Sequence, residues 1–260
     1  MLALEIACAA IVAIYVIARR EAIPALALLA VAGFIGEDSV IRVYGFYFYS
    51  PRWHLFLDRV PLMIVVIWPI VIHSAWSLAR RLAPSRAWAP LVGAGIVLAD
   101  ASLIEPIAVH AGLWTWTEPG LFAVPPIGIL GWAFFAGAAM VCLERAEKNG
   151  TPPALAVVAA SLTTHALLVA SWWLAFKWMS RSLPPWPFVA AAWIVLGALA
   201  LAAARARPGR GAPALRKDLL LRGPGAAFFF VLLLLDGRDA PPLCAYAFAF
   251  VPPYLALLLG

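Results

Sequence analysis

Apolar runs of membrane-crossing length follow one another along almost the whole chain, and no other feature constrains its fold as strongly. They occupy residues 2–18, 23–43, 60–79, 88–113, 123–143, 153–177 and 186–206, with a further apolar region at about 219–259 that Pro241-Pro242 and Pro252-Pro253 interrupt. A bilayer hydrocarbon core about 30 Å thick is crossed by roughly 20 apolar residues in a helix. Only a helix or a closed barrel satisfies its own backbone there. A barrel strand would alternate apolar and polar residues, whereas these runs are continuous. The expected fold is all-α: a polytopic integral membrane bundle of about 7–9 transmembrane helices, forming a single domain over 1–260. With 65% hydrophobic and 12% charged residues, the chain lies far from a soluble globule, which is nearer half apolar and a quarter charged.

The net charge of +6 does not mark a nucleic-acid binder. Its Lys and Arg residues sit in short clusters between the apolar runs, including Arg19-Arg20, Arg80-Arg81-Arg86 and a basic linker at 205–222. That is the distribution by which cytoplasmic loops fix orientation. With the N-terminus outside, the inner loops carry thirteen Lys and Arg residues and the outer loops six. The expected location is a bacterial inner membrane with a non-cytoplasmic N-terminus. Leu2 to Ala18 reads as a first span, not a cleaved signal, because no cationic segment precedes it. Cys8, Cys142 and Cys244 are far apart, in apolar segments, and have no CxxC spacing.

Within this apolar background a few acids stand out. Asp100 and Glu105 interrupt LVGAGIVLADASLIEPIAVHAGLW, and Glu37-Asp38 interrupt AIPALALLAVAGFIGEDSVIRV. An ionisable group at the bilayer centre costs about 2.5 to 3.5 kcal/mol on insertion scales, so it marks a functional site by default. Five residues separate Asp100 from Glu105, about 140° of helical rotation, and Pro106 is expected to kink the helix beside them. Glu37 is the deeper of its pair; Asp38 is expected at headgroup level, and Asp58 beside Arg59 reads as a surface pair. The general acid is expected among Glu37, Asp100 and Glu105. An acid kept neutral in apolar surroundings can protonate an isolated double bond. The resulting cation needs aromatic faces and a dry pocket.

Aromatic loops supply such faces. VYGFYFYSPRWHLFLDRVP and WTWTEPGLFAVPP are both expected on the outer side, where helices two and four should pack together with Glu37 facing Asp100 or Glu105. Tyr47, Tyr49, Trp114, Trp116 and Trp132, with His110, are the expected substrate-binding residues. His73, His110 and His165 form no HxxxH or HExxH pattern, so no metal site is expected. The chain shows no nucleophile elbow, phosphate loop or dinucleotide fingerprint, and no internal repeat is evident.

The run from Glu37 through YGFYFYSP to RVPLMIVVIWPIVI resembles the membrane carotenoid 1,2-hydratases, the bisanhydrobacterioruberin and γ-carotene hydratase family. Glu37, Tyr47, Tyr49, Val60, Pro61, Leu62 and Trp68 fall on its pattern. A second run, DASLIEPIAVHAGLWTWTEPGLFAVPPIGILGW, is similar to the family's second motif, with Glu105-Pro106 where the pattern has Asp-Pro. The two runs cover about residues 33 to 135. The resemblance implies water addition to a terminal double bond of a carotenoid, begun by proton transfer from a carboxylic acid.

The expectation is thus an isoprenoid-modifying membrane enzyme with a hydrophobic isoprenoid substrate, lipid contacts, no cofactor and no nucleic acid. Related membrane lycopene and terpenoid cyclases share the acid chemistry and form the first rival. A proton-coupled transporter or lipid-binding membrane protein is the rival of another class. Substrate length, water capture against ring closure, and oligomeric state stay open.

Overall fold

The computed structural model describes residues 1–206 and 212–259. Among the described residues eight helices are long and apolar enough to cross a membrane, and a shorter apolar helix precedes them; the chain is an integral membrane protein. In chain order the α-helices of the described residues are α1 (Leu2–Ala18), α2 (Ile23–Tyr44), α3 (Leu62–Leu82), α4 (Ala89–His110), α5 (Pro126–Asn149), α6 (Pro153–Ser171), the short α7 (Lys177–Met179), α8 (Pro185–Ala206), α9 (Ala212–Asp236), α10 (Pro241–Phe248) and α11 (Val251–Leu259); α6 with α7, and α10 with α11, each belong to one span. A single π-helical turn at Trp172–Phe176 joins α6 to α7. The C-terminal apolar region holds two segments long and apolar enough to cross, Pro213–Asp236 and Pro241–Leu259.

The helix boundaries have local causes. Pro sits in the first turn of α2, α4, α5 and α6, where its missing N–H would have no partner anyway. Gly45 ends α2 with φ 59°, a left-handed conformation that glycine adopts without a Cβ clash.

Among the described residues four short strands lie between the helices. β1 (Tyr47–Tyr49) pairs antiparallel with β4 (Trp114–Trp116), and β2 (Phe56–Leu57) with β3 (Val60–Pro61). The first ladder joins the two aromatic loops at one end of the bundle. Glu5, in the first turns of α1, accepts hydrogen bonds from His54 N at 2.7 Å and meets His54 Nδ1 at 2.9 Å, so the chain begins at this same end. At the other end Asp218 is buried between Arg19 and Arg81, the latter at 2.5 Å.

Two expectations are corrected here. Helix α2 packs chiefly on α3 and α6, and α4 on α3 and α5, so α2 and α4 oppose one another rather than pack together. The basic linker expected at 205–222 is helical from Ala212 onward; Arg207 and Arg210 fall outside the described residues. Leu219, Leu220 and Leu221 let that segment enter the bundle, and ion pairs neutralise Asp218 and Arg222.

A duplication becomes visible once the elements are placed. Helix α2, β1, a turn, Val60-Pro61 and α3 are followed by α4, β4, a turn, Val124-Pro125 and α5. Three residues before each proline stands a positive-φ residue, Asp58 or Phe122, both at φ 51°. Leu57 pairs with Val60 as Leu121 pairs with Val124. Seven residues after each proline comes a tryptophan, Trp68 and Trp132. The β1–β4 register is self-complementary, with Tyr47 opposite Trp116, Phe48 opposite Thr115 and Tyr49 opposite Trp114. Self-complementarity of this kind is the signature of two-fold symmetry. The internal repeat not evident from the sequence is therefore present.

Candidate active site

A cavity of about 390 Å³ opens beneath the β1–β4 ladder, within the range of roughly 300 to 1,000 Å³ typical of small-molecule sites. Glu37, Asp100 and Glu105 all line it, together with Tyr47, Tyr49, Trp114, Trp116 and Trp132. The rest of its wall is mainly aliphatic and phenylalanine side chains from α3, α9 and α11.

The two halves of the duplication each contribute one glutamate in a socket of ring donors. Glu105 accepts at Oε2 from the indoles of Trp114 and Trp116, both at 2.8 Å, and at Oε1 from Trp132 at 2.8 Å. Glu37 accepts at Oε2 from the Tyr47 hydroxyl and from Tyr49 at 2.8 Å, and at Oε1 from Trp68 at 2.7 Å. The same topological positions hold both acids: two from the strand and one from the second helix. Trp68 and Trp132 also meet, with ring centroids 4.6 Å apart.

The sockets differ in one chemical respect. An indole N–H can only donate, whereas a phenol both donates and accepts. Every partner of Glu105 is an indole, so both its oxygens are held as acceptors. Glu37 has two hydroxyls beside it, and a protonated Glu37 can donate its O–H as a hydrogen bond to a tyrosine oxygen. Burial, then the Glu37 carboxylate, push the Tyr47 and Tyr49 hydroxyls well above the ordinary phenol range.

Asp100 has a different setting. It pairs with Arg222 of α9 and accepts from the Tyr254 hydroxyl of α11 at 3.1 Å. Arg222 also donates to Ser74 Oγ at 2.6 Å and to Tyr254 at 3.3 Å. Asp100 and Glu105 line the same cavity although 140° apart, and α4 stays helical through Pro106. The cavity wraps around this face of α4, so Glu105 meets it under the ladder and Asp100 meets it against α9.

The remaining sequence-read residues fall elsewhere. Asp38 turns away to Arg42 at 2.7 Å, and Asp58 pairs with Arg42 rather than with the adjacent Arg59. His110 does not line the cavity; at the last turn of α4 it contacts the Asp236 carbonyl at 3.0 Å and Asp239 at 3.4 Å. The structure thus places it past the helix end toward the α9–α10 turn and not beside the other expected substrate-binding residues. No group of three or more His, Cys, Asp or Glu residues suited to a metal is found among the described residues.

Three residues of this site escaped sequence reasoning. Arg222 was placed in the linker, Tyr254 lies in a run read only as apolar, and Ser74 resembles any small residue of a span. An Asp-to-Arg match within apolar segments was the available signal.

The model for the family described as carotenoid biosynthesis protein matches residues 1–199, more than three quarters of the chain. The chain belongs to the carotenoid biosynthesis protein family. That range contains both glutamates, both strands and all three tryptophans around Glu105, while Arg222 and Tyr254 lie beyond it. No curated protein and no solved structure matches the chain. Membership of this family fits a role in modifying isoprenoid chains.

Proposed function

We propose that this protein hydrates a carbon–carbon double bond at one end of a carotenoid or similar acyclic isoprenoid. Glu37 is the proton donor and Glu105 the carboxylate that faces the cation. The observation that carries this reading is the pair of equivalent glutamates facing one apolar cavity, of which only Glu37 has hydroxyl partners. A proton passes from Glu37 to the less substituted alkene carbon, and the positive charge develops on the neighbouring tertiary carbon. Tyr47, Trp116 and the Trp68–Trp132 pair border the cavity there, and aromatic faces attract such a charge. Fixed dipoles and a carboxylate in a dry site stabilise it without solvent reorganisation.

Ring closure of the same cation is the second reading, favoured by the mainly aliphatic and phenylalanine wall of the rest of the cavity. The transporter reading gains the internal repeat, since parallel repeats occur in transporters; family membership favours chemistry over transport. We further place the aromatic end on the non-cytoplasmic side of a bacterial inner membrane, from the bias of Lys and Arg toward the opposite end. The purified protein, given a lycopene-like polyene, should yield a product heavier by one water. An unchanged mass with altered absorption would support the cyclase instead.

A further inference from the structure

The duplication provides an internal control for the cavity wall. In the second half Asp100 stands five residues before Glu105; in the first half the equivalent residue before Glu37 is Ala32. Ser74 stands thirteen residues after Pro61, and its equivalent after Pro125 is Ala138. Ala32 and Ala138 lie in a closed apolar cluster with Val157 and Ala160 of α6. Asp100 and Ser74 instead meet Arg222 and Tyr254 at the cavity. The fold therefore accepts alanine at both positions, and packing alone does not call for a buried ion pair here. Removing two charges from water is expensive, and such a pair is often no more stable than an apolar replacement.

From this asymmetry we infer that Asp100, Arg222 and Tyr254 form the site that holds and deprotonates the water added to the cation. The inference rests on the hydratase reading. Arg222 neutralises Asp100, so the cluster suits a neutral polar molecule better than an anion. A carboxylate offers about four lone-pair positions, and Arg222 and Tyr254 occupy two of them. Among the described residues the Arg222 Nε–H is buried without a hydrogen-bond partner, so the cluster also has an unused donor. A buried water needs two to four polar partners.

Five helical residues between Asp100 and Glu105 correspond to a rise of about 7.5 Å, which sets the water site along the cavity from the carboxylate that faces the cation. The step is balanced. Glu37 loses a proton to carbon and a C–H bond forms; the water oxygen forms the C–O bond; one water O–H bond breaks and its proton goes to Asp100. Return of that proton to Glu37 restores both groups, and the sum is alkene plus water giving a tertiary alcohol.

Protonation and water capture separate in deuterium oxide, because a cation that loses a proton instead of gaining water returns as deuterated alkene. The full-length protein in detergent, supplied with a lycopene-like polyene, is assayed for alcohol and for deuterium in the recovered alkene. Asp100→Asn is expected to lower alcohol formation at least about 100-fold while deuterium uptake continues at the wild-type rate. Tyr254→Phe is expected to shift the same ratio about tenfold. The double variant Asp100→Ala with Ser74→Ala copies the Ala32 and Ala138 pair, and its thermal stability reports whether the bundle has held. Alcohol and deuterium falling together in folded Asp100→Asn would overturn the inference, as would unchanged alcohol. A wild-type protein that yields neither alcohol nor deuterated alkene overturns the hydratase reading itself.

Discussion

Tyr47 and Trp116 face each other at one end of the β1–β4 ladder, ring centroids 4.7 Å apart, and each donates to a different glutamate. The contact couples the two acid sockets through one stack of rings. It also marks where the two halves of the duplication diverge, tyrosine beside Glu37 and tryptophan beside Glu105.

Loss of the Glu37 proton should be the most damaging change that preserves the fold. Glu37→Gln keeps size and can still accept from Trp68, so membrane-inserted protein should accumulate normally. Turnover should fall about 10²- to 10⁴-fold, the range of general-acid contributions. Deuterium uptake by recovered substrate should vanish with it. Retained uptake would move the donor role to Glu105.

Trp116 is seated against a glycine. A Cβ at Gly128 would stand 2.6 Å from the Trp116 ring, closer than packed atoms tolerate. Gly128→Ala should displace the indole from Glu105 and destabilise the protein by about 1 to 3 kcal/mol, the usual penalty of overpacking. Activity should drop by about tenfold or more, since small misplacements at a site are expensive. Thermal melts and turnover of the variant check both.

The tyrosine socket predicts a response to alkali. The Tyr47 and Tyr49 hydroxyls are raised in the folded state, first by burial and then by Glu37. Their contribution to stability is complete below the free-phenol range near 10 and declines as pH rises from there through the folded values. Denaturation midpoints measured from about pH 8 to 11 should fall at the upper end. The double variant Tyr47→Phe, Tyr49→Phe should be less stable at pH 8 and show a shallower alkaline decline.

Topology is testable in whole cells. Arg52 donates to the Gly112 carbonyl at 3.2 Å, beside the strand that carries Trp116, while Arg81 reaches Asp218 at the opposite end. Single cysteines at 52 and 116 should react with an impermeant maleimide applied outside, and a cysteine at 81 only after lysis. The reverse pattern would invert the orientation while leaving the fold intact.

The membrane spans were legible in the sequence because hydropathy alone decides them. Glu37 and Glu105 were legible for the complementary reason, as acids where lipid excludes charge. Other features depend on contacts that sequence spacing does not encode. The duplication was hidden because its halves share only a glutamate, two aromatic positions, a Val-Pro step and a tryptophan, and the Glu-to-Pro interval differs by four residues. Arg222 read as a topology signal because it closes a run of basic residues; only the packing of α9 on α3 and α4 brings it to Asp100 and Ser74. His110 misled because an apolar run does not reveal where its helix emerges from the core.

Incubation of the purified wild-type protein with a lycopene-like polyene in heavy-oxygen water tests the central claim most directly, with mass spectrometry of the product. The account predicts a tertiary alcohol heavier by one labelled water, formed by the wild type and not by Glu37→Gln. A ring-bearing product of unchanged mass, or an alcohol formed equally by Glu37→Gln, would contradict it.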